Sequence, residues 1–416
     1  MVCLIFSFGI LAVVDFLITD VKVGVQYSML VPLLVISAYA LVQTISFTSA
    51  SPGADVAGNA WNSISADPYS TRFVAIQFLA LAIALALFYR YVRTKSRIQA
   101  LIYVIMAVAV ATAVFGLLRQ TMQREPGFVL PLTKPNLGYA QFLNKNHFAF
   151  MMEMALGLGL GILLAGGVKR ERALIYIVAL LPVWAGLVLC NSRGGVLAML
   201  SQILTGGFIL LQGLSRSKEV GRSGVVMLLR SFAFRMVILA VLAGALFVGT
   251  LWVGGDRLLG NFEAMQSELS PESTGLNQGA TRNEIWRATL KMFAAHPVFG
   301  VGLGGYWIAV TAYHEASGAL TPQEAHNDYL ELLSSGGIVG FAIGCWWAVV
   351  FFRLLRKNLN STDKFQVASS SGAALGIFGV AVHSLFDYGL HMFANSLLFF
   401  ALVMLATRES PSKAQL

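Results

Sequence analysis

The sequence predicts an all-α, polytopic integral membrane protein with about eleven transmembrane helices and one large, mostly helical extramembrane loop. Three observations predict it. Of 416 residues, 57% are hydrophobic and 12% are charged, against about 25% charge in a soluble domain, and mean hydropathy is +0.72. The apolar residues gather into runs long enough to cross a hydrocarbon layer about 30 Å thick. The loops between those runs alternate sharply in Lys and Arg content. This composition excludes a soluble globular enzyme and a disordered chain. Cys3, Cys190 and Cys345 sit in or beside apolar runs and form no disulfide framework.

Taken in order, the runs lie near residues 2–19, 27–46, 72–89, 99–118, 147–168, 173–190, 195–213, 234–253, 334–352, 366–384 and 390–407. Each is read as a helix because only helices and closed barrels satisfy the backbone inside lipid, and a run near 20 residues matches a helix. The net charge of +9 comes from 29 basic and 20 acidic residues. It is a topology signal here, since the chain has no P-loop, no Gly-x-Gly-x-x-Gly after a strand, no zinc spacing and no basic stripe interleaved with aromatics. Nucleic acid is therefore not an expected partner. One set of loops carries 19 of the 29 basic residues, including Arg90, Arg93, Lys95 and Arg97, then Lys169, Arg170 and Arg172, and later Arg353, Arg356, Lys357 and Lys364. That set is assigned to the cytoplasm. Residues 1–253 are then N-terminal transmembrane helices, 254–333 the large outer loop and 334–416 C-terminal transmembrane helices. Eleven spans and a cytoplasmic C-terminus put the N-terminus outside, which raises the expectation of a missing first span. The first run lacks a basic leader and carries Asp15, so it is not read as a signal peptide.

Within the outer loop, Ile285, Thr289, Met292 and Phe293 repeat at near-helical spacing, and His296-Pro297 ends the pattern before a Gly-rich turn at 300–305. All six histidines, His147, His296, His314, His326, His383 and His391, fall in outer loops or at outer ends of spans. The remaining ten basic residues lie on that face too, among them Arg119, Lys145, Arg193 and Arg282. Cations there oppose the topology bias, and the usual return is an anion such as phosphate, which Arg grips bidentately. Arg193 sits in a hairpin so short that its side chain lies near the membrane boundary. His326 precedes Leu330 and Leu333 at i+4 and i+7, a spacing that places it on the outer end of a membrane-embedded helix. A held imidazole accepts a proton near neutral pH; Glu324, Asp328 and Asp387 are rival bases that spacing does not separate from it.

These residues resemble the O-antigen ligase and polymerase group of bacterial membrane glycosyltransferases. The ligase signature is His, then Asn, Ser or Gln, nine residues, then Gly-x-x-Gly. Here it reads His326-Asn327, residues 328–336, and Gly337-Ile338-Val339-Gly340. Similar to the group also are Ser192-Arg193-Gly194 between two spans, Thr281-Arg282-Asn283-Glu284-Ile285-Trp286 in the large loop, and His296-Pro297 followed by Gly300-Val301-Gly302-Leu303-Gly304. The resemblance covers roughly residues 140–400 and closes on the region from His383 to Asn395. Family members commonly have about twelve spans with both ends in the cytoplasm. Asn144-Lys145-Asn146-His147-Phe148-Ala149 looks more like a feature of exopolysaccharide polymerases.

The resemblance implies transfer, on the periplasmic face of the inner membrane, of an undecaprenyl-diphosphate-linked glycan to an acceptor hydroxyl, lipid A-core preferred over a growing polysaccharide. It implies that His326 is the base and that Arg193 and Arg282, with Arg119 and Lys145 behind them, bind the substrate diphosphate. Asn327 and His147 support them, and no cofactor or metal is called for. The alternatives are an O-antigen or exopolysaccharide polymerase, transfer to a protein serine or threonine, a membrane transporter or flippase, and a structural membrane subunit without catalysis.

Overall fold

The computed structural model describes residues 1–19, 26–46, 62–122, 138–216, 282–314 and 322–409. Their regular structure is helical: α1 (Val2–Thr19), α2 (Tyr27–Gln43), α3 (Pro68–Tyr91), α4 (Lys95–Met122), α5 (Lys145–Leu164), α6 (Arg170–Leu189), α7 (Arg193–Arg216), α8 (Arg282–Ala295), α9 (Tyr306–Ala309), α10 (Asp328–Leu359), α11 (Lys364–His383) and α12 (Phe393–Thr407). Ten of the eleven apolar runs fall on helices, and the run at 234–253 lies outside the described residues. By length and composition, six described helices are apolar enough to cross a membrane: α3 to α6, α10 and α11. Shorter apolar helices occur at Val2–Asp15, Tyr27–Gln43 and Phe393–Thr407.

The chain divides into two compact units. The first comprises Met1–Arg93, Ala264–Arg353 and Ser384–Tyr388. Within it α3 packs on α1 and α2. Asp15, the charge inside the first apolar run, accepts hydrogen bonds from Arg90 and Tyr91 at the end of α3; an intramembrane charge is held only where it finds such partners. The break at His296-Pro297 and the Gly-rich turn also have a counterpart. Gly337, inside α10, has φ 61° and ψ −167°, so the helix is interrupted there. The backbone groups released pair with the turn: Ile338 N–H donates to Pro297 O at 2.8 Å, and Gly302 N–H donates to Ser335 O at 2.9 Å. From α2, Tyr39 Oη donates to Gly336 O at 2.8 Å and to Phe299 O at 2.9 Å, while Gln43 Nε2 donates to Phe299 O and Ser335 O and its Oε1 accepts from Leu303 N–H. Irregular backbone at membrane depth persists only where it is satisfied this way.

The second unit comprises Thr94–Glu263, Leu354–His383 and Gly389–Leu416, and α11 packs in it against α5, α7 and α12. Two glycine pairs set the α5–α11 approach. A Cβ on Gly157 would lie 2.4 Å from Gly376 N, and one on Gly161 would lie 2.5 Å from Gly372 Cα. Small residues four apart on both helices let the backbones touch, which is how helices associate without a hydrophobic driving force between them. A polar core accompanies that contact. Glu153 and His383 are 0% and 1% exposed and meet at 3.0 Å; Phe150 stacks on the imidazole at 4.1 Å. Gln202 Nε2 donates to Glu153 O and Leu375 O.

Candidate functional site

In the first unit α8 is amphipathic and buries Ile285, Ala288, Thr289 and Met292, a stripe near that read from the sequence. Ala288 and Met292 join a small core with Val301, Tyr306, Val310 and Ala325. Ala325 is fixed from both sides, because its N–H donates to Glu331 Oε2 at 2.9 Å and its carbonyl accepts from Trp286 Nε1 at 3.1 Å. The next residue, His326, has φ 50°, a left-handed conformation that a non-glycine side chain adopts at a cost. This corrects the sequence reading. His326 is not on a helix, and no i+4 or i+7 register holds it; α10 begins two residues later, at Asp328.

Asn327 is the cap of that helix. Its Oδ1 accepts from Tyr329 and Leu330 N–H at 3.1 and 3.0 Å, satisfying donors that a helix start leaves open. Its Nδ2 donates to Leu385 O, Asp328 N–H donates to Ser384 O, and Ser384 Oγ donates to Asp328 Oδ2 at 2.6 Å. These bonds stitch 327–328 to the turn at 384–388 and so bring Asp387 and Tyr388 to His326. Asp387 is 1% exposed; its Oδ1 lies 3.6 Å from His326 Nδ1 and its Oδ2 lies 3.9 Å from Arg282 Nη2. Both separations are ionic rather than hydrogen-bond lengths. Tyr388 meets the imidazole edge-on at 4.9 Å. His326 and Arg282 are 33% and 27% exposed, so a buried carboxylate joins a half-buried imidazole to a half-buried guanidinium.

The other predicted residues fall in the second unit. Arg193 opens α7 after a turn in which Asn191 has φ 59° and Ser192 Oγ accepts from Gly195 N–H. Gly194 is required by a neighbour, since a Cβ there would lie 2.4 Å from the His383 ring. Lys145, at the start of α5, lies within electrostatic range of Arg193 and Cys190. His147 is buried one turn in, and its carbonyl accepts from Asn395 Nδ2 at 2.9 Å. Arg119 is 6% exposed and donates to Ala140 O. The structure therefore groups Arg282, His326 and Asn327 in one unit and Arg119, Lys145, His147 and Arg193 in the other. Asp387 entered the sequence reading only as a rival base, and Tyr388 did not enter it. They lie about 60 positions from His326, where no spacing rule reaches.

Outside the spans, burial lowers the His296 pKa below the ordinary histidine value, and Tyr313 Oη lies 3.2 Å from its Nε2. Burial raises the Tyr306 phenol, which shares a 2.7 Å hydrogen bond with Thr289 Oγ1. Both groups belong to the support of the site.

No curated protein matches the chain. Residues 175–345 match the family model described as O-antigen ligase, a stretch that contains Arg193, Arg282, His326 and Gly337 and ends before Asp387. Over that stretch the chain is similar to the O-antigen ligase, Wzy-like family.

Proposed function

We propose that this protein is a membrane glycosyltransferase that moves a glycan from undecaprenyl diphosphate to an acceptor hydroxyl, lipid A-core preferred, on the periplasmic face of the inner membrane. The match of residues 175–345 to the O-antigen ligase family model supports lipid-linked polysaccharide substrates in general. The observation that carries the finer reading is the buried Asp387 carboxylate facing His326 Nδ1 on one side and Arg282 on the other. A carboxylate at Nδ1 leaves Nε2 as the nitrogen for the acceptor and stabilises the imidazolium that forms. The acceptor oxygen bonds to the anomeric carbon as the bond from that carbon to the diphosphate oxygen breaks. The hydroxyl proton passes to His326, the bonding pair leaves with the diphosphate, and in-line attack inverts the anomeric centre. Charge growing on the leaving group is met by a guanidinium group, the role assigned to Arg282; Arg193, Lys145 and Arg119 of the second unit are the further diphosphate-binding candidates that the sequence offers.

The test is transfer by purified protein from an undecaprenyl-diphosphate-linked glycan to lipid A-core. His326→Ala should lose about 10²- to 10⁴-fold in rate while still inserting in the membrane; normal transfer by that variant would sink the assignment. Polymerisation is the second reading, favoured by the Asn144-Lys145-Asn146-His147 segment, whose Asn144 side chain caps α5 through Asn146 N–H at 2.9 Å. Deletion in the host separates the two. Long chains accumulating on the lipid carrier with bare core mark a ligase, whereas core bearing a single repeat unit marks a polymerase.

A further inference from the structure

The second unit holds a cavity of about 400 Å³ at the ends where α4, α6 and α11 begin. It belongs to the basic loops and uses none of the residues assigned to transfer. Lys95, Lys169, Arg172 and Lys364 stand around it against one lining carboxylate, Asp363, and Asp363 Oδ1 already accepts from Phe365 N–H at 2.9 Å. Three helix N-termini converge there, each with a positive dipole end; Thr94 Oγ1 accepts from Arg97 N–H in α4, and Asp363 caps α11. The N-terminus of α6 has no side-chain cap. The inner wall is apolar and aromatic: the Tyr103 and Tyr176 rings lie 6.4 Å apart, and Lys95 Nζ sits 5.2 Å from the centre of the Phe365 ring.

Behind the same ring is a fifth cation. The Arg408 guanidinium lies 5.8 Å from the Phe365 centroid and donates to Ser369 Oγ, a lining residue, at 3.1 Å. Arg408 is only 6% exposed, and its Nε has no hydrogen-bond partner among the described residues. Burial lowers its pKa to about 10, with Asp363 opposing the shift. Four lining cations against one lining carboxylate, with Arg408 behind them, leave the cavity with uncompensated positive charge. Its volume falls in the range of small-ligand sites, about 300–1,000 Å³.

We infer that this cavity is a phosphate-binding site, filled by the headgroup of an anionic membrane lipid or by a free phosphate. Basic pockets between transmembrane helices on the cytoplasmic side suit such headgroups, and the aromatic wall suits the glycerol and first methylenes of a lipid rather than bare ions.

The test uses the full chain purified in detergent, with native mass spectrometry for lipid retention and thermal unfolding for phosphate. Variants are Lys169→Gln/Arg172→Gln, which alters exposed side chains only, and the fourfold change that adds Lys95→Gln and Lys364→Gln. The control removes equal charge from the same basic loops outside the cavity, as Arg356→Gln/Lys357→Gln and as that pair with Arg93→Gln and Arg97→Gln. Phosphatidylglycerol retained over phosphatidylcholine, falling about fivefold per neutralised cavity residue and unchanged in the controls, establishes a lipid headgroup. Stabilisation by millimolar inorganic phosphate, lost in the cavity variants without any lipid selectivity, establishes a free-phosphate site. Equal loss in cavity and control variants, or no binding of either probe by the wild type, overturns the proposal.

Discussion

His326 is the residue on which sequence and geometry bear hardest. Its left-handed backbone makes alanine an ambiguous probe, because Ala dislikes φ > 0 whereas Asn tolerates it. His326→Asn should therefore keep the fold and membrane level of wild type while losing about 10²- to 10⁴-fold in transfer, read as product formed per milligram of solubilised protein. Asp387→Asn keeps shape and removes the charge between His326 and Arg282; transfer should fall by about 10²-fold or more, and undiminished transfer by the variant would make Asp387 a purely structural residue. A second titrating group acts on stability. The folded pKa of His296 lies below its unfolded value near 6.5, so the unfolded chain takes up the proton first as pH falls. Its contribution is complete above about pH 6.5 and is lost as pH drops through the folded pKa. Melting temperature measured from pH 7.5 to 5 should fall less steeply in His296→Gln than in wild type.

At the scale of elements, the two glycines of the Gly-x-x-Gly motif separate. Gly337 interrupts α10 in a conformation restricted to glycine, and a Cβ there would meet Val298 O at 2.3 Å, whereas a Cβ on Gly340 finds only the Tyr39 ring edge at 3.5 Å. Gly337→Ala should cost about 2–4 kcal/mol and Gly340→Ala far less, compared by thermal unfolding in detergent. The periodicity of α8 was legible before the structure, since burying one stripe needs only 3.6-residue spacing. The break in α10 was not: a glycine pair in an apolar run reads equally as helix, and only the facing carbonyls of the 297–299 turn require the interruption. The α5–α11 contact carries a further prediction. Glu153→Ala removes the buried 3.0 Å hydrogen bond to His383 Nδ1, and leaving a buried polar group unsatisfied costs about 1–3 kcal/mol. Unfolding midpoints unchanged in that variant would show the pair to be dispensable.

For the whole molecule, the membrane reading comes from composition and the six long apolar helices, and the sidedness from basic loops. In a chain without its own cysteines, Leu143→Cys, 67% exposed two residues before α5, should react with an impermeant maleimide in intact spheroplasts. Thr362→Cys, exposed between α10 and α11, should react only after permeabilisation. Reversed labelling would invert the assigned topology and move the transfer site to the cytoplasm.

By itself the sequence determined the all-helical membrane class, the positions of ten described helices, the stripe on α8 and the family motifs, including His326, Asn327, Arg193 and Arg282. These depend on local patterns: apolar run length, 3.6-residue spacing and short fixed gaps. Tertiary structure alone decided that His326 stands before its helix in a left-handed turn, that Asp387 and Tyr388 are its neighbours, that Asp15 and Glu153 have partners, and that four cations line one cavity with a fifth behind its wall. Each of those contacts joins residues distant along the chain. Pairings of that kind are fixed by how helices pack and where buried charge finds its complement, and residue spacing carries no record of them.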